Sequence, residues 1–145
     1  MTKQPAIICD IDGTLALKGN RGIYDWDKVI DDLPNFPIVE ILTMYMQRNR
    51  EHVKWEQTKI ILITGRPEIC ESDTMAWLEH VGVEYDDLFM RKLGDRRTDI
   101  VVKSEIYETI KEKYKIQFVL DDRDRCVRMW RSYGITCLQV AEGNY

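Results

Sequence analysis

Three short apolar runs in this chain stop abruptly at clusters of acidic, hydroxyl-bearing or basic residues, and that pattern constrains the fold more than any other. Ala6-Ile7-Ile8-Cys9 stops at Asp10-Ile11-Asp12-Gly13-Thr14, Lys59-Ile60-Ile61-Leu62-Ile63 at Thr64-Gly65-Arg66-Pro67, and Ile116 to Leu120 at Asp121-Asp122. A continuous apolar run suits a strand covered on both faces. Helical signals fill the segments between. One helix is expected from near Pro37, after Asn35 or Phe36, with Val39, Leu42 and Met46 at helical spacing. A second fits Ser72 to Val81, with Ser72 as N-cap and Gly82 as stop. A third covers residues 99 to 114 with Val102, Ile106 and Ile110 on one stripe, and a fourth runs from about Asp124 to Tyr133 before Gly134. Short strands are expected at Leu88 to Arg91 and Thr136 to Val140. Residues 13 to 24, with three glycines, read as a loop or small hairpin, and residues 50 to 57 are polar and ambiguous. Strands alternating with helices predict an α/β fold with an open, mostly parallel sheet and helices on both faces.

At 145 residues the chain has the length of one domain, taken as residues 1–145. No apolar stretch approaches the roughly 20 residues of a membrane-spanning helix. Met1-Thr2-Lys3-Gln4-Pro5 shows no secretory leader. The four cysteines form no C-x-x-C pair, so they are read as reduced thiols of a cytoplasmic protein, without a disulfide framework or zinc site. A net charge of −4 argues against a general grip on long nucleic acid and leaves room for local contacts. Basic residues do gather locally, at Arg91, Lys92, Arg96, Arg97 and Lys103, and at Arg123, Arg125, Arg128 and Arg131.

In an open parallel sheet, ligands bind beyond the carboxyl ends of the strands, so the three reactive clusters should converge on one rim. Asp10 and Asp12 are two residues apart and lean the same way in extended backbone. A carboxylate there can act as nucleophile on a phosphate ester, splitting a hard displacement into two steps. The second carboxyl group can protonate the leaving oxygen and then take a proton from water. Asp121 and Asp122 add two more acids, and four carboxylates around an anionic substrate require a hard cation such as magnesium. Thr64 offers a hydroxyl to the transferring oxygens, and Lys103 supplies positive charge. A calcium loop is excluded, because Thr14, Leu15 and Arg21 stand where it needs an acid or amide, a glycine and a glutamate.

Asp-Ile-Asp-Gly-Thr-Leu after an apolar strand resembles the first motif of the haloacid dehalogenase superfamily, and Thr64, Lys103 and Asp121-Asp122 match its second, third and fourth motifs in order. That resemblance implies a Rossmann-like fold, an aspartyl-phosphate intermediate on Asp10, and magnesium held by the nucleophile, the backbone carbonyl of Asp12 and an acid of the Asp121-Asp122 pair. The chain is similar, more closely, to the 3′-phosphatase domains of bacteriophage polynucleotide kinase-phosphatases. The similar stretches are Asp12-Gly13-Thr14-Leu15-Ala16 with Arg21-Gly22 and Tyr24-Asp25, Gly94-Asp95 with Thr98-Asp99 and Val101-Val102-Lys103, Asp121-Asp122-Arg123, Met129-Trp130-Arg131, and Gln139-Val140-Ala141. By this resemblance Thr14, Arg21, Gly65, Arg66 and Asp99 form the substrate set, with the arginines holding phosphates and Asp99 orienting a basic neighbour. No phosphate-binding Gly-x-x-x-x-Gly-Lys loop is present, so any kinase partner, separate or fused, is not encoded in this chain.

Segments 15 to 58 and 67 to 98 are largely used by scaffold helices, leaving little or no cap domain and an open rim that admits a polymer end. The expected substrate is a 3′-phosphorylated DNA or RNA end in repair, and the alternative is a 5′-nucleotidase or another small-molecule phosphomonoesterase. Arg125, Arg128 and Arg131 are read as a solvent stripe over Val127 and Trp130, Arg96 and Arg97 as candidate phosphate contacts, and Tyr24 and Trp26 as packing residues that also suit base stacking.

Overall fold

Side-chain alternation along the central strands decides which residue meets which helix. The computed structural model describes residues 2–145, in the order β1 (Gln4–Cys9), β2 (Ala16–Leu17), β3 (Leu33–Pro34), α1 (Phe36–Arg50), β4 (Lys59–Pro67), α2 (Glu71–Val81), β5 (Asp87–Arg91), α3 (Asp99–Ile110), β6 (Tyr114–Asp121), α4 (Asp124–Ser132) and β7 (Cys137–Gln139). Five of the strands form one sheet in the order β5-β4-β1-β6-β7, parallel at every pairing. Ile7 and Cys9 of β1, with Ile60 and Leu62 of β4, enter an apolar layer with Leu42 of α1 and Trp77 of α2. Ala6 and Ile8, with Ile61 and Ile63, enter the opposite layer with Ile110 of α3 and Trp130 of α4. Strands lined on both faces in this way carry unbroken apolar runs, as expected. Ile8 and Ile61 are fully buried, and cutting either back to alanine costs about 2–5 kcal/mol.

The chain leaves β1 toward β4 and β5 on one side, then returns to place β6 and β7 on the other. The carboxyl ends of β1 and β6 therefore flank the point where strand order reverses, the position at which open parallel sheets open a crevice.

Several boundaries differ from the sequence-based expectation. The short strand β2 pairs antiparallel with β3, whose residues lie well beyond the glycine-containing stretch, and a 3-10 turn at Trp26–Asp31 fills the excursion. α2 begins at Glu71, continuous with a 3-10 turn at Glu68–Cys70, so Ser72 lies inside the helix and makes no cap bond. Gly82 stops it in the left-handed conformation at φ 81°. α3 ends at Ile110, because Tyr114 pairs with Gln4 as the first residue of β6 and its hydroxyl donates to Asp87 at 2.9 Å. A 3-10 turn at Lys54–Glu56 occupies the ambiguous polar stretch. β4 runs on to Pro67, but from Ile63↔Phe89 to Pro67↔Arg91 it takes four residue steps against two on β5. That irregularity is a bulge, and Thr64, Gly65 and Arg66 lie in it.

Candidate active site

The loop after β1 is wound tightly by one carbonyl: Ile11 accepts from the backbone N–H groups of Thr14, Leu15 and Ala16 at 3.2, 2.9 and 2.8 Å. Gly13 sits at φ 81°, and a β-carbon there would overlap the Asp122 carboxylate, so glycine is required twice over. Asp10 continues the strand pairing by donating its N–H to the Leu120 carbonyl at 2.9 Å. Its side chain, like that of Asp121 at the end of β6, lies toward the α3 and α4 side of the sheet. There Lys103 of α3 bridges them, 2.9 Å from Asp10 Oδ1 and 2.8 Å from Asp121 Oδ2. Trp130 Nε1 of α4 donates to the same Asp121 oxygen at 3.1 Å, and the Asp122 N–H donates to the other at 2.9 Å. Thr14 Oγ1 lies 3.0 Å from Asp10 Oδ2 and 3.2 Å from Asp122 Oδ1. A hydroxyl has one proton, so at any moment one of these two carboxylate oxygens lacks it.

Asp10, Asp121 and Asp122 thus gather three buried carboxylates whose ligating oxygens lie within 4.8 Å of one another. Among the described residues, Lys103 is the one basic side chain bonded to any of them. Burial, then Asp121, hold the Asp10 carboxyl well above the usual carboxylate range, outweighing Lys103. Burial works against the charge on Lys103, yet Asp10 and Asp121 together hold its ammonium well above the ordinary lysine range. Three acids against one base in a dry site is a large uncompensated charge. An all-oxygen donor set of this kind fits a hard divalent cation such as magnesium.

The Asp12 carboxylate lies outside that cluster. Arg66 holds it through Nε at 3.1 and 3.0 Å and through a terminal nitrogen at 2.7 Å, and Arg21 adds a contact at 3.2 Å. Asp32 anchors both arginines, at 2.6 and 2.9 Å from Arg21 and 2.7 Å from Arg66. Thr74 of α2 accepts the remaining Arg66 nitrogen at 3.1 Å, and Trp77 Nε1 donates to the Asp32 carbonyl at 2.7 Å. Arg66 and Asp32 side chains are 0% and 1% exposed, whereas Asp12 is 37% exposed. The two arginines expected to hold substrate phosphates are therefore engaged in holding the Asp12 carboxylate at the rim. For metal, Asp12 has only its backbone carbonyl left, because this carboxylate is committed to guanidinium groups.

Thr64 is fully buried, and its Oγ1 accepts the Arg66 N–H at 3.1 Å across the bulge. Gly65 faces the other side of the sheet, where a β-carbon would overlap Asp99. Arg91 Nε donates to the Gly65 carbonyl at 2.9 Å, and Asp99 bridges Arg91 at 2.6 Å and Arg123 at 2.9 Å. Arg97 is taken up by Asp95 and Glu105, which leaves Arg96 as the residue of that pair with no ion pair among the described residues. Tyr24 is 77% exposed, contrary to the packing expected of it, whereas Trp26 packs against a small cluster of Val29, Cys70 and Met90. Arg125, Arg128 and Arg131 are exposed over buried Val127 and Trp130, as expected.

Sequence reasoning missed Asp32, Trp130 and Tyr145. Tyr145 Oη donates to Asp122 Oδ2, and its ring lies under the Arg123 guanidinium, 4.7 Å from Cζ to centroid. Asp32 and Tyr145 fall in no motif or periodic pattern, and Trp130, read only as a core residue, gave no sign of its bond to Asp121. An Asp placed ahead of a helix resembles any capping residue, and only the contact with two buried arginines distinguishes Asp32.

A family model described as the polynucleotide kinase PNKP phosphatase domain matches residues 4–145. A protein of Autographa californica nuclear polyhedrosis virus, assigned as a bifunctional polynucleotide kinase/RNA ligase, is 33% identical over 133 residues, covering 90% of this chain and 18% of that protein. A chain of the Pnkp1/Rnl/Hen1 RNA repair complex superposes with a TM-score of 0.90 at 36% identity, covering 99% of this chain and 44% of the other. A second structure of the Pnkp1/Rnl/Hen1 complex gives the same TM-score and identity, with 48% of its chain covered. The chain thus spans less than half the length of each of these proteins.

Proposed function

This chain belongs to the polynucleotide kinase PNKP phosphatase-domain family, and we propose that it removes 3′-terminal phosphates from RNA or DNA ends through an aspartyl phosphate on Asp10. The observation that carries the reading is the Asp10–Lys103–Asp121 bridge, set beside Asp122 at the strand-order switch point of a chain matched by that family over nearly its whole length.

In the first step Asp10 attacks phosphorus and the P–O3′ bond breaks, while Asp12 gives its proton to the departing oxygen. In the second, water attacks the aspartyl phosphate and gives a proton to Asp12, releasing inorganic phosphate and restoring both carboxyl groups. The exposure of Asp12 suits a group that must reach both the leaving oxygen and water, and Arg21 and Arg66 keep it aimed. Lys103 fixes the attacking carboxylate and offsets charge on the transferring phosphoryl group, together with Thr14, Thr64 and nearby backbone N–H groups. Magnesium held by Asp10 and the Asp121-Asp122 pair would neutralise the acids and the incoming phosphate. Asp99 holds Arg91 and Arg123 at the edge of the rim, where their charge suits the polynucleotide backbone.

The excursion after β1 and the crossovers through α1 and α2 occupy the two segments in which a cap would lie, which supports a rim that admits a chain end. A kinase and a ligase working on the same broken strand would be natural partners, since ligation joins the 5′ phosphate that a kinase makes to the 3′ hydroxyl that this reaction produces.

The test is phosphate release in magnesium from 3′-phosphorylated RNA and DNA oligonucleotides, a 5′-phosphorylated twin and a mononucleotide, with Asp10→Asn as control. Selective release from 3′ ends is the expected outcome. Release from the mononucleotide alone would make the protein a nucleotidase and overturn the substrate assignment.

A further inference from the structure

Asp122 needs more orientation than its partners. Asp10 and Asp121 are pinned by the Lys103 ammonium, whereas Asp122 has no basic partner among the described residues and shares the single Thr14 proton with Asp10. The remaining side-chain donor to Asp122 is Tyr145 Oη, on Oδ2. A phenolic hydroxyl has one proton to donate, and here it goes to the Asp122 carboxylate.

Tyr145 is 58% exposed, yet its position is heavily determined. Gln139 Nε2 donates to the Asp122 carbonyl at 2.9 Å and to Asp124 Oδ1 at 2.6 Å, which starts the segment against the end of β6. The Asp124 N–H donates to the Gly143 carbonyl at 2.9 Å. Gly143 lies so close to the Asp122 backbone that any β-carbon there would overlap its carbonyl oxygen. The Arg123 guanidinium then covers the Tyr145 ring. Five contacts lead one exposed phenol to one carboxylate oxygen.

We propose that Tyr145 is a positioning residue for the metal site: its hydroxyl holds Oδ2 of Asp122, as Thr14 holds Oδ1, and so presets the carboxylate plane for a divalent cation. The inference rests on the metal-dependent reading above. Asp121 has its own aromatic donor in Trp130, so each acid of the pair is steadied by an aromatic N–H or O–H. Partners that orient a ligating carboxylate without touching the metal typically change metal affinity or activity by about 10–100-fold when removed.

The experiment measures magnesium binding to the intact chain by calorimetry, without substrate, for the wild type, Tyr145→Phe, Asp122→Asn and the double variant. Phenylalanine keeps the ring under Arg123 and removes only the hydroxyl, so the melting temperature in chelator should stay unchanged. Magnesium affinity should fall roughly tenfold in Tyr145→Phe, and the substitution should have no further effect in the Asp122→Asn background. At saturating magnesium the KM for a 3′-phosphorylated oligonucleotide should match the wild type. Unchanged affinity in Tyr145→Phe, an equal loss with and without Asp122, or no magnesium binding by the wild type would each overturn the proposal. Magnesium binding without phosphate release would instead count against the phosphatase reading alone. Should Tyr145→Phe melt early, Tyr145→Trp, with an N–H at the ring edge, should recover part of the affinity, and failure to do so would also overturn it.

Discussion

Two charged clusters lie on opposite sides of the central sheet, and they are built on different terms. On the α3 and α4 side, Asp10, Asp121 and Asp122 face a single lysine. On the side of α2, Asp12 and Asp32 face Arg21 and Arg66, and Thr74 takes up the nitrogen the acids leave over. The second cluster is neutral by formal charge and satisfied without help. The first is not neutral, and its surplus of negative charge is what a cation would relieve. An unmatched buried charge is costly for folding alone, so it is where a bound cation would be favoured, whereas the matched network holds the Asp12 side chain still.

The sharpest way to break this contrast is Asp10→Asn. Turnover of a 3′-phosphorylated oligonucleotide should fall by more than about a thousandfold, while the melting temperature in chelator holds or rises because one surplus charge is gone. A large loss of stability would show that the acid cluster is scaffold after all. Arg66→Ala should do the reverse to folding, costing about 3–5 kcal/mol in urea denaturation because Asp12 and Asp32 are left unmatched. A cost below about 1 kcal/mol would remove the distinction between the two sides. Magnesium at a hundredfold excess over its dissociation constant should stabilise the wild type by about 2.7 kcal/mol, and Asp122→Asn should lose most of that gain in a thermal shift. The mildest effect belongs to Asp99→Asn. Its ion pairs with Arg91 and Arg123 are partly exposed, so stability should drop by no more than about 1 kcal/mol, with the change appearing mainly as a raised KM for oligonucleotides.

The strands and the acids at their ends were legible because a run such as Ala6–Cys9 can be buried on both sides in few ways, and a charged residue at its end must then lie at the rim. The boundaries that slipped were those decided by distant partners. Tyr114 continues a helical pattern until Gln4 pairs with it, and Ser72 reads as a cap until the preceding turn makes it part of the helix. Asp10, Asp12, Thr64, Lys103 and the Asp121-Asp122 pair could be picked out because their spacing repeats a known motif set. The arginine positions were legible too, but not their engagement: Arg21 and Arg66 are bound to Asp12 and Asp32, and nothing local announces Asp32. Tyr145 was hidden for the same reason, since its partner lies 23 residues away across a helix and a strand.

The bulge in β4 acts as a reading frame for the site. Ile60, Leu62 and Arg66 face α1 and α2, whereas Ile61, Ile63 and the Cα of Gly65 face α3 and α4. Deleting one residue between Ile63 and Pro67 shifts that phase, because a slip of one position sends every following side chain to the other face. Arg66 would then turn toward Asp99 and away from Asp12, and the Asp12 cluster would be lost with every acid still in the chain. At this strand end the phase of the chain matters as much as the identity of the residue that it carries.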